Sequence, residues 1–279
     1  MKAYSLICHR DVSQALLCLG SFQAMCDDDI QLQLFDDGSL TEKDTHLLCD
    51  QLSLSTSDIH HIQDIPQLTP YPYLQKARTR FVMCRKLLDI PLIDDAPKLL
   101  LDTDMLFLRA FHGITDAAEK YSFVCMRDQQ SAYSPKLITR LKLRTQGSPL
   151  ISHANAGFLL IDPKIIDLER LEYFFSNDNH LVFPALVEQT AWALMAAQTS
   201  TPQYWEPRAI AFPPSDLQVD ASTIGWHFAS DYRGLLSKAS VPAPSTQPSA
   251  LLKTTPAPHM SLVEEFQRAC RRVQSIFKA

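Results

Sequence analysis

The stretch Lys98-Leu99-Leu100-Leu101-Asp102-Thr103-Asp104-Met105-Leu106-Phe107-Leu108 sets two carboxylates two positions apart in an otherwise apolar run. Alternate residues of an extended chain share a face, so Asp102 and Asp104 are expected to point the same way. Two like charges about 6–7 Å apart repel by roughly 2–3 kcal/mol at an effective dielectric of about 20. A fold keeps such a pair when a cation, or a ligand carrying one, sits between the carboxylates. Magnesium and manganese suit the arrangement, being hard ions that take one or two carboxylates and complete their shell with water and phosphate oxygens. The plainer alternative is a strand end whose two aspartates begin a loop and touch only water.

The chain around this stretch reads as an α/β protein. Ala3 to Cys8 is a buried opening strand that ends at His9-Arg10-Asp11, and Asp11 or Ser13 is expected to cap the helix that follows. Ile30 to Phe35 alternates as a half-buried strand and ends at Asp36-Asp37-Gly38, after which Thr41 and Asp44 form a capping box. Strand, helix, strand, helix is the start of a parallel sheet, and such sheets bind ligands beyond the carboxyl ends of their strands. His9-Arg10-Asp11, Asp36-Asp37-Gly38 and Asp102-Thr103-Asp104 should therefore converge on one edge. Asp58 to Pro66 reads as a short strand with its flanks, Pro70 to Tyr73 as a rigid turn, and Leu74 to Leu88 as one helix rich in bases. Asn155-Ala156-Gly157 reads as a small turn leading into a buried strand, with glycine permitting close approach to the backbone. Glu188 opens an apolar helix. His227 lies between Trp226 and Phe228, a setting more typical of a core histidine than of a ligand.

Composition narrows the function. The 279 residues suffice for one large α/β domain or two small ones. A net charge of -5 without a long basic block argues against nucleic acid as a partner. Seven scattered cysteines without zinc-type spacing read as reduced thiols in a cytoplasmic protein. No signal peptide and no membrane-spanning segment are expected. Residues 241–258 are rich in Pro, Ser, Thr and Ala and read as an exposed linker, and 259–279 as an amphipathic helix. Docking of that helix on the domain is favoured over a peripheral membrane or partner contact.

Taken in order, these motifs resemble those of GT-A nucleotide-diphospho-sugar glycosyltransferases, closest to the glycogenin-like and bacterial galactosyltransferase-like retaining enzymes. The matching residues are Leu99 to Leu106 for the DxD strand, Asn155-Ala156-Gly157-Phe158 on the sugar side, Glu188-Gln189-Thr190-Ala191 for the acceptor-side helix, and Trp226-His227-Phe228 with Gly234. The resemblance covers roughly Ala3 to Leu236. It implies a GT-A (Rossmann-like) α/β fold, with a mixed, mostly parallel central sheet flanked by helices. The chain then divides into a transferase domain over 1–240, the linker, and the C-terminal helix.

The resemblance also implies roles. Asp104, Asp102 and His227 would hold Mn2+ or Mg2+. Cys8, His9 and Asp37 would meet the base and ribose, with UDP the favoured nucleotide. Asp102 and Thr103 would contact the donor, and Asn155 and Gly157 would line the sugar. Glu188 and Gln189 would lie at the reacting face. Arg78 or Lys86 would neutralise phosphate, and Arg233 stands where the family often has a basic residue after the histidine. The acceptor is left open. The chain departs from the family pattern in its displaced Gly234, its distant Lys238 and its Glu at 188 in place of Asp.

Three rival activities share parts of this pattern. A haloacid dehalogenase-type phosphatase also uses Asp-x-Asp after an apolar strand, but near the N-terminus. A nucleotidyltransferase needs a Gly-rich basic loop, and this chain has 7 glycines. A degenerate sugar-nucleotide binder would keep the motifs without turnover. One distance decides the transferase reading: a His227 imidazole far from Asp102 and Asp104 overturns it.

Overall fold

The computed structural model describes residues 1–147, 149–176, 184–239 and 248–267. The first half runs β1 (Lys2–Ile7), α1 (Val12–Met25), β2 (Gln31–Asp36), α2 (Glu42–Leu52), β3 (Ile59–His60), α3 (Pro72–Arg80), α4 (Cys84–Leu88), β4 (Lys98–Leu101), β5 (Met105–Phe107), β6 (Phe111–His112) and α5 (Ile114–Lys120). The second half runs β7 (Phe123–Arg127), α6 (Leu137–Thr145), β8 (Ala154–Ile161), α7 (Leu168–Phe175), α8 (Val187–Ala196), β9 (Gln203–Trp205), β10 (Ile210–Ala211), β11 (Gly225–His227), α9 (Arg233–Leu236), β12 (Ala250–Leu251) and β13 (Thr254–Pro256).

The main sheet has eight strands in the order β13-β9-β7-β8-β4-β1-β2-β3. The β4-β1-β2-β3 half and the β7-β9 pair are parallel, while β8 lies antiparallel to both neighbours and β13 antiparallel to β9. The sheet is therefore mixed and mostly parallel. Its central strands are buried on both faces because helices cover both. Ala3, Leu99 and Leu101 pack with Ala15 and Leu19 of α1 and Ile114 of α5. Tyr4 and Leu100 turn the other way, onto Leu87 of α4 and Trp192 of α8. The two-residue strand period thus distributes one leucine run between two cores, each buried leucine contributing about 1.5–3 kcal/mol.

Several expected elements differ in detail. The basic stretch 74–88 is two helices, because Phe81 takes an extended conformation after α3 and sinks into the core. Asp11 makes no side-chain cap to α1 and accepts instead from Cys8 and Arg10, whereas the Thr41–Asp44 capping box forms as expected. Asn155-Ala156-Gly157 is not a turn: it lies inside β8, where pairing with β7 is interrupted between Val124–Leu160 and Met126–Asn155. Residues 250–256, expected within a linker, supply β12 alongside β6 and the sheet edge β13. Proline-rich composition does not distinguish a linker from an edge strand, where a missing N–H costs nothing.

Residues 262–267 are helical and dock back on the domain, but by their polar side. Glu265 is buried against Arg140, while Leu262, Val263 and Phe266 are exposed. The rest of the expected linker and C-terminal helix, 240–247 and 268–279, lies outside the described residues. The six cysteines in the described part are free, and Cys270 falls outside it. Among the described residues, no helix is long and apolar enough to cross a membrane.

Candidate functional site

Asp102 and Asp104 sit in the tight turn between β4 and β5 rather than on a continuous strand. β5 pairs antiparallel with β11 in a register that sets His227 opposite Met105, and the Phe228 amide donates to the Asp104 carbonyl at 2.8 Å. That register carries the His227 imidazole across 123 residues of chain to Asp104, with Nε2 3.0 Å from Oδ1 and 3.8 Å from Asp102 Oδ2. The Asp102 amide is held on the β8 side by the Gly157 carbonyl at 2.8 Å. Ligand atoms of Asp102, Asp104 and His227 lie within 4.8 Å of one another, so the three could hold a metal ion. Their chemistry fits one: two hard carboxylate donors and an imidazole, with His227 Nδ1 buried and lacking a hydrogen-bond partner among the described residues.

Each aspartate has its own cation. Asp104 is buried, and Arg233 Nε donates to its Oδ2 at 3.0 Å, with Nη2 also 3.0 Å from that oxygen. Burial alone would raise the Asp104 carboxyl, but the charges of His227 and Arg233 hold it well below the usual carboxylate range. Burial likewise opposes charge on His227, and Asp104 with Asp102 raises it nonetheless. Lys86 is buried and donates to Asp102 Oδ1 at 2.6 Å and to the Ala156 carbonyl at 3.1 Å, with Glu188 Oε1 3.3 Å away. Three acceptors match the three N–H bonds of an ammonium group. Burial works against the Lys86 charge, and the two carboxylates outweigh it, keeping the ammonium protonated. Burial is also the main reason that Glu188 is pushed up to about 7, with Asp102 adding to the rise and Lys86 opposing it. Trp192 Nε1 donates to the same carboxylate.

These groups line a cleft of about 650 Å³ together with Thr103, Asn155, Gly157, Gln189 and Arg233. Gln189 is held by donation to Asp128 Oδ2 at 3.2 Å and to the Ala132 carbonyl at 3.0 Å. Gly157 is needed for close approach: a Cβ there would lie 2.3 to 2.7 Å from three atoms of the His227 ring.

Other expected site residues lie elsewhere. Arg78 forms a fork with Asp89, at 2.7 and 2.8 Å, and also donates to the Gln63 carbonyl. It is a structural ion pair away from the cleft lining, and Lys86 is spent on neighbouring carboxylates rather than left free for phosphate. Cys8, His9 and Asp37 gather with one another near the carboxyl ends of β1 and β2, outside the residues that line the cleft. His9 pairs with Asp44 at 2.6 Å, and the Asp37 carboxylate accepts from Ser39. Asp128, Phe212 and Tyr232 line the cleft and were not singled out as site residues. Asp128 follows a strand end, which is a usable signal; Phe212 follows a two-residue strand, and nothing local marks it.

Comparison with solved structures gives the galactosyltransferase LgtC in complex with donor and acceptor sugar analogues, 14% identical, covering 87% of this chain and 98% of that one, with a TM-score of 0.51. An active-site mutant of the same enzyme matches at 14% identity over the same shares, with a TM-score of 0.50. No protein-family model matches the chain, and no curated protein matches it in sequence. At this identity the likeness speaks to architecture, and the topology and mixed sheet described above agree with it: the chain has the GT-A glycosyltransferase fold.

Proposed function

We propose that the protein is a metal-dependent glycosyltransferase that moves a sugar from a nucleoside-diphosphate donor to an acceptor hydroxyl. The observation that carries this reading is the meeting of Asp102, Asp104 and His227 at the carboxyl end of β4, in a fold shared with a sugar transferase. Asp102, Asp104 and His227 would hold the ion, which supplies Lewis-acid stabilisation to the departing diphosphate. Mn2+ is favoured over Mg2+ because an imidazole joins the two carboxylates.

The remaining steps belong to the chain itself. Lys86 ties down Asp102 Oδ1 and so leaves Oδ2 turned to His227. It also orients Glu188, which with Gln189 faces the cleft where the sugar would lie. Asn155 accepts from the Gly157 amide at 2.9 Å, which fixes the small-residue floor beneath the sugar. Arg233, exposed at the mouth, pairs with Asp104 Oδ2 and would also be within the cleft to meet the donor's diphosphate. Positioned donors of this kind act on charge that develops in the transition state. Cys8, His9 and Asp37 remain candidates for the base and ribose, with UDP favoured. The transferase unit extends past the expected boundary at 240, since β12 and β13 pair with its strands, and the reduced thiols favour a cytoplasmic setting.

The test is transfer or slow hydrolysis from a panel of UDP- and GDP-sugars with and without Mn2+. Thermal shift selects the donor, since a true ligand raises apparent stability by mass action. Asp104→Ala is expected to remove Mn2+-dependent turnover by roughly 10³-fold or more while the protein stays folded, in line with the loss of a transition-state charge contact. Full activity in Asp104→Ala rules the metal role out. Hydrolysis of a simple aryl phosphate, without use of any nucleotide sugar, points to a phosphatase instead.

A further inference from the structure

A metal-bound histidine is ordinarily aimed by its second nitrogen, whose N–H donates to a carboxylate, a carbonyl or a water. His227 has no such partner among the described residues: Nδ1 is buried and makes no hydrogen bond. Its ring is nevertheless held with Nε2 turned to both aspartates. What fixes the plane is packing against the ring. Gly157 lies against it, too close to carry a side chain. Phe212 is stacked on the imidazole with centroids 5.7 Å apart and planes at 24°. Phe212 reaches this position because β10 runs parallel to β11, pairing Ala211 with Trp226, so the next residues along the two chains are Phe212, just past β10, and His227.

Phe212 touches the other arm of the site as well. Its ring packs on Tyr232 at 5.5 Å and 34°. Tyr232 immediately precedes Arg233, which holds Asp104 Oδ2, and its hydroxyl accepts from Gln129 Nε2 at 3.0 Å across the cleft. One half-buried aromatic therefore touches His227 directly and the residue that precedes Arg233.

We infer that Phe212 is a positioning residue for the metal site, a flat wall that takes the place of the missing hydrogen bond to His227. The inference rests on the proposed metal-dependent transfer and adds how its third ligand is aimed. A slot made of a glycine backbone and an aromatic face stops rotation of the imidazole, which otherwise has two near-equivalent flat orientations about its last side-chain bond. A leucine at 212 keeps an apolar contact and loses the flat wall.

The test uses the full chain and metal alone. Mn2+ affinity is measured by calorimetry, and the visible absorption of the Co2+-loaded protein reports ligand geometry without any turnover. Phe212→Leu is expected to weaken Mn2+ by roughly tenfold, the low end of losses when partners that orient a metal-bound histidine are removed. It is also expected to change the Co2+ bands, while Phe212→Tyr, which keeps the ring, restores both readouts. Gly157→Ala, pressing a methyl group into the same ring, should disturb the same bands. Should Phe212→Leu fail to fold, Phe212→Met, also apolar and without a flat face, makes the same comparison. A folded Phe212→Leu with wild-type affinity and an unchanged Co2+ spectrum overturns the inference and leaves the proposed function standing. A wild-type protein that binds neither ion overturns both.

Discussion

The two aspartates of the β4–β5 turn are neutralised by two cations of opposite character. Lys86 is 5% exposed and shares its ammonium among Asp102, the Ala156 carbonyl and Glu188. Arg233 is 58% exposed and pairs with one oxygen of Asp104. A buried ion with every hydrogen bond met is part of the structure, and removing one partner strands a charge. An exposed one is held loosely and can be exchanged for another cation at little cost. Asp102 is therefore firmly oriented, while Asp104 is kept charged by the buried His227 together with an arginine that can leave. The site is preorganised on one side and exchangeable on the other, an arrangement that suits the proposed binding of an ion and a diphosphate.

The largest expected effect falls on the buried side. Lys86→Met leaves Asp102 and Glu188 facing each other without a cation and should cost about 3–5 kcal/mol, a fall in melting temperature of roughly 6–20 °C. Arg233→Gln should leave the melting temperature almost unchanged. Equal shifts in the two variants would break the contrast.

Next in size is a pH dependence. Because the folded Glu188 carboxyl is pushed from about 4.5 up to about 7, the folded state of the metal-free protein keeps a proton that the unfolded chain has lost between those values. Its contribution to stability is then full below about pH 4.5 and is lost as pH rises towards about 7. Denaturant melts across that window should slope downward, and Glu188→Gln should flatten the slope. An unchanged slope in the variant would place the titration elsewhere.

The smallest effect sharpens the exposed side. With Arg233 gone, Mn2+ no longer competes for Asp104, so Arg233→Gln without nucleotide should bind the ion roughly 1.5- to 5-fold tighter, the worth of an ion pair whose arginine lies at the surface. Weaker binding would mean that Arg233 supports the ion rather than standing in for it.

Much of this was legible from residue order. The leucine run predicted a strand, the Thr41–Asp44 box forms at the start of α2, and Asp102, Asp104 and His227 were named together through a family resemblance. Arg78 and Lys86 looked interchangeable, eight residues apart on one expected helix. The break at Phe81 turned one toward Asp89 and the other into the cleft. Nothing at residue 212 or 250–256 marked a brace or an edge strand, because both exist only through pairing with distant chain. The helical stretch 262–267 shows the same limit: its apolar residues predicted the docked side, and one buried arginine reversed it.

Residue order alone therefore settled the properties that are local in origin. Alternation and apolar runs named the strands, capping chemistry started a helix, and paired carboxylates announced a place for positive charge. The identity of that charge was a tertiary matter. Strand register brought His227 over Asp104, and a broken helix delivered Lys86 to Asp102. Coulomb and hydrogen-bond energies change over single ångströms, and such separations between residues more than a hundred positions apart are fixed by packing rather than by sequence spacing.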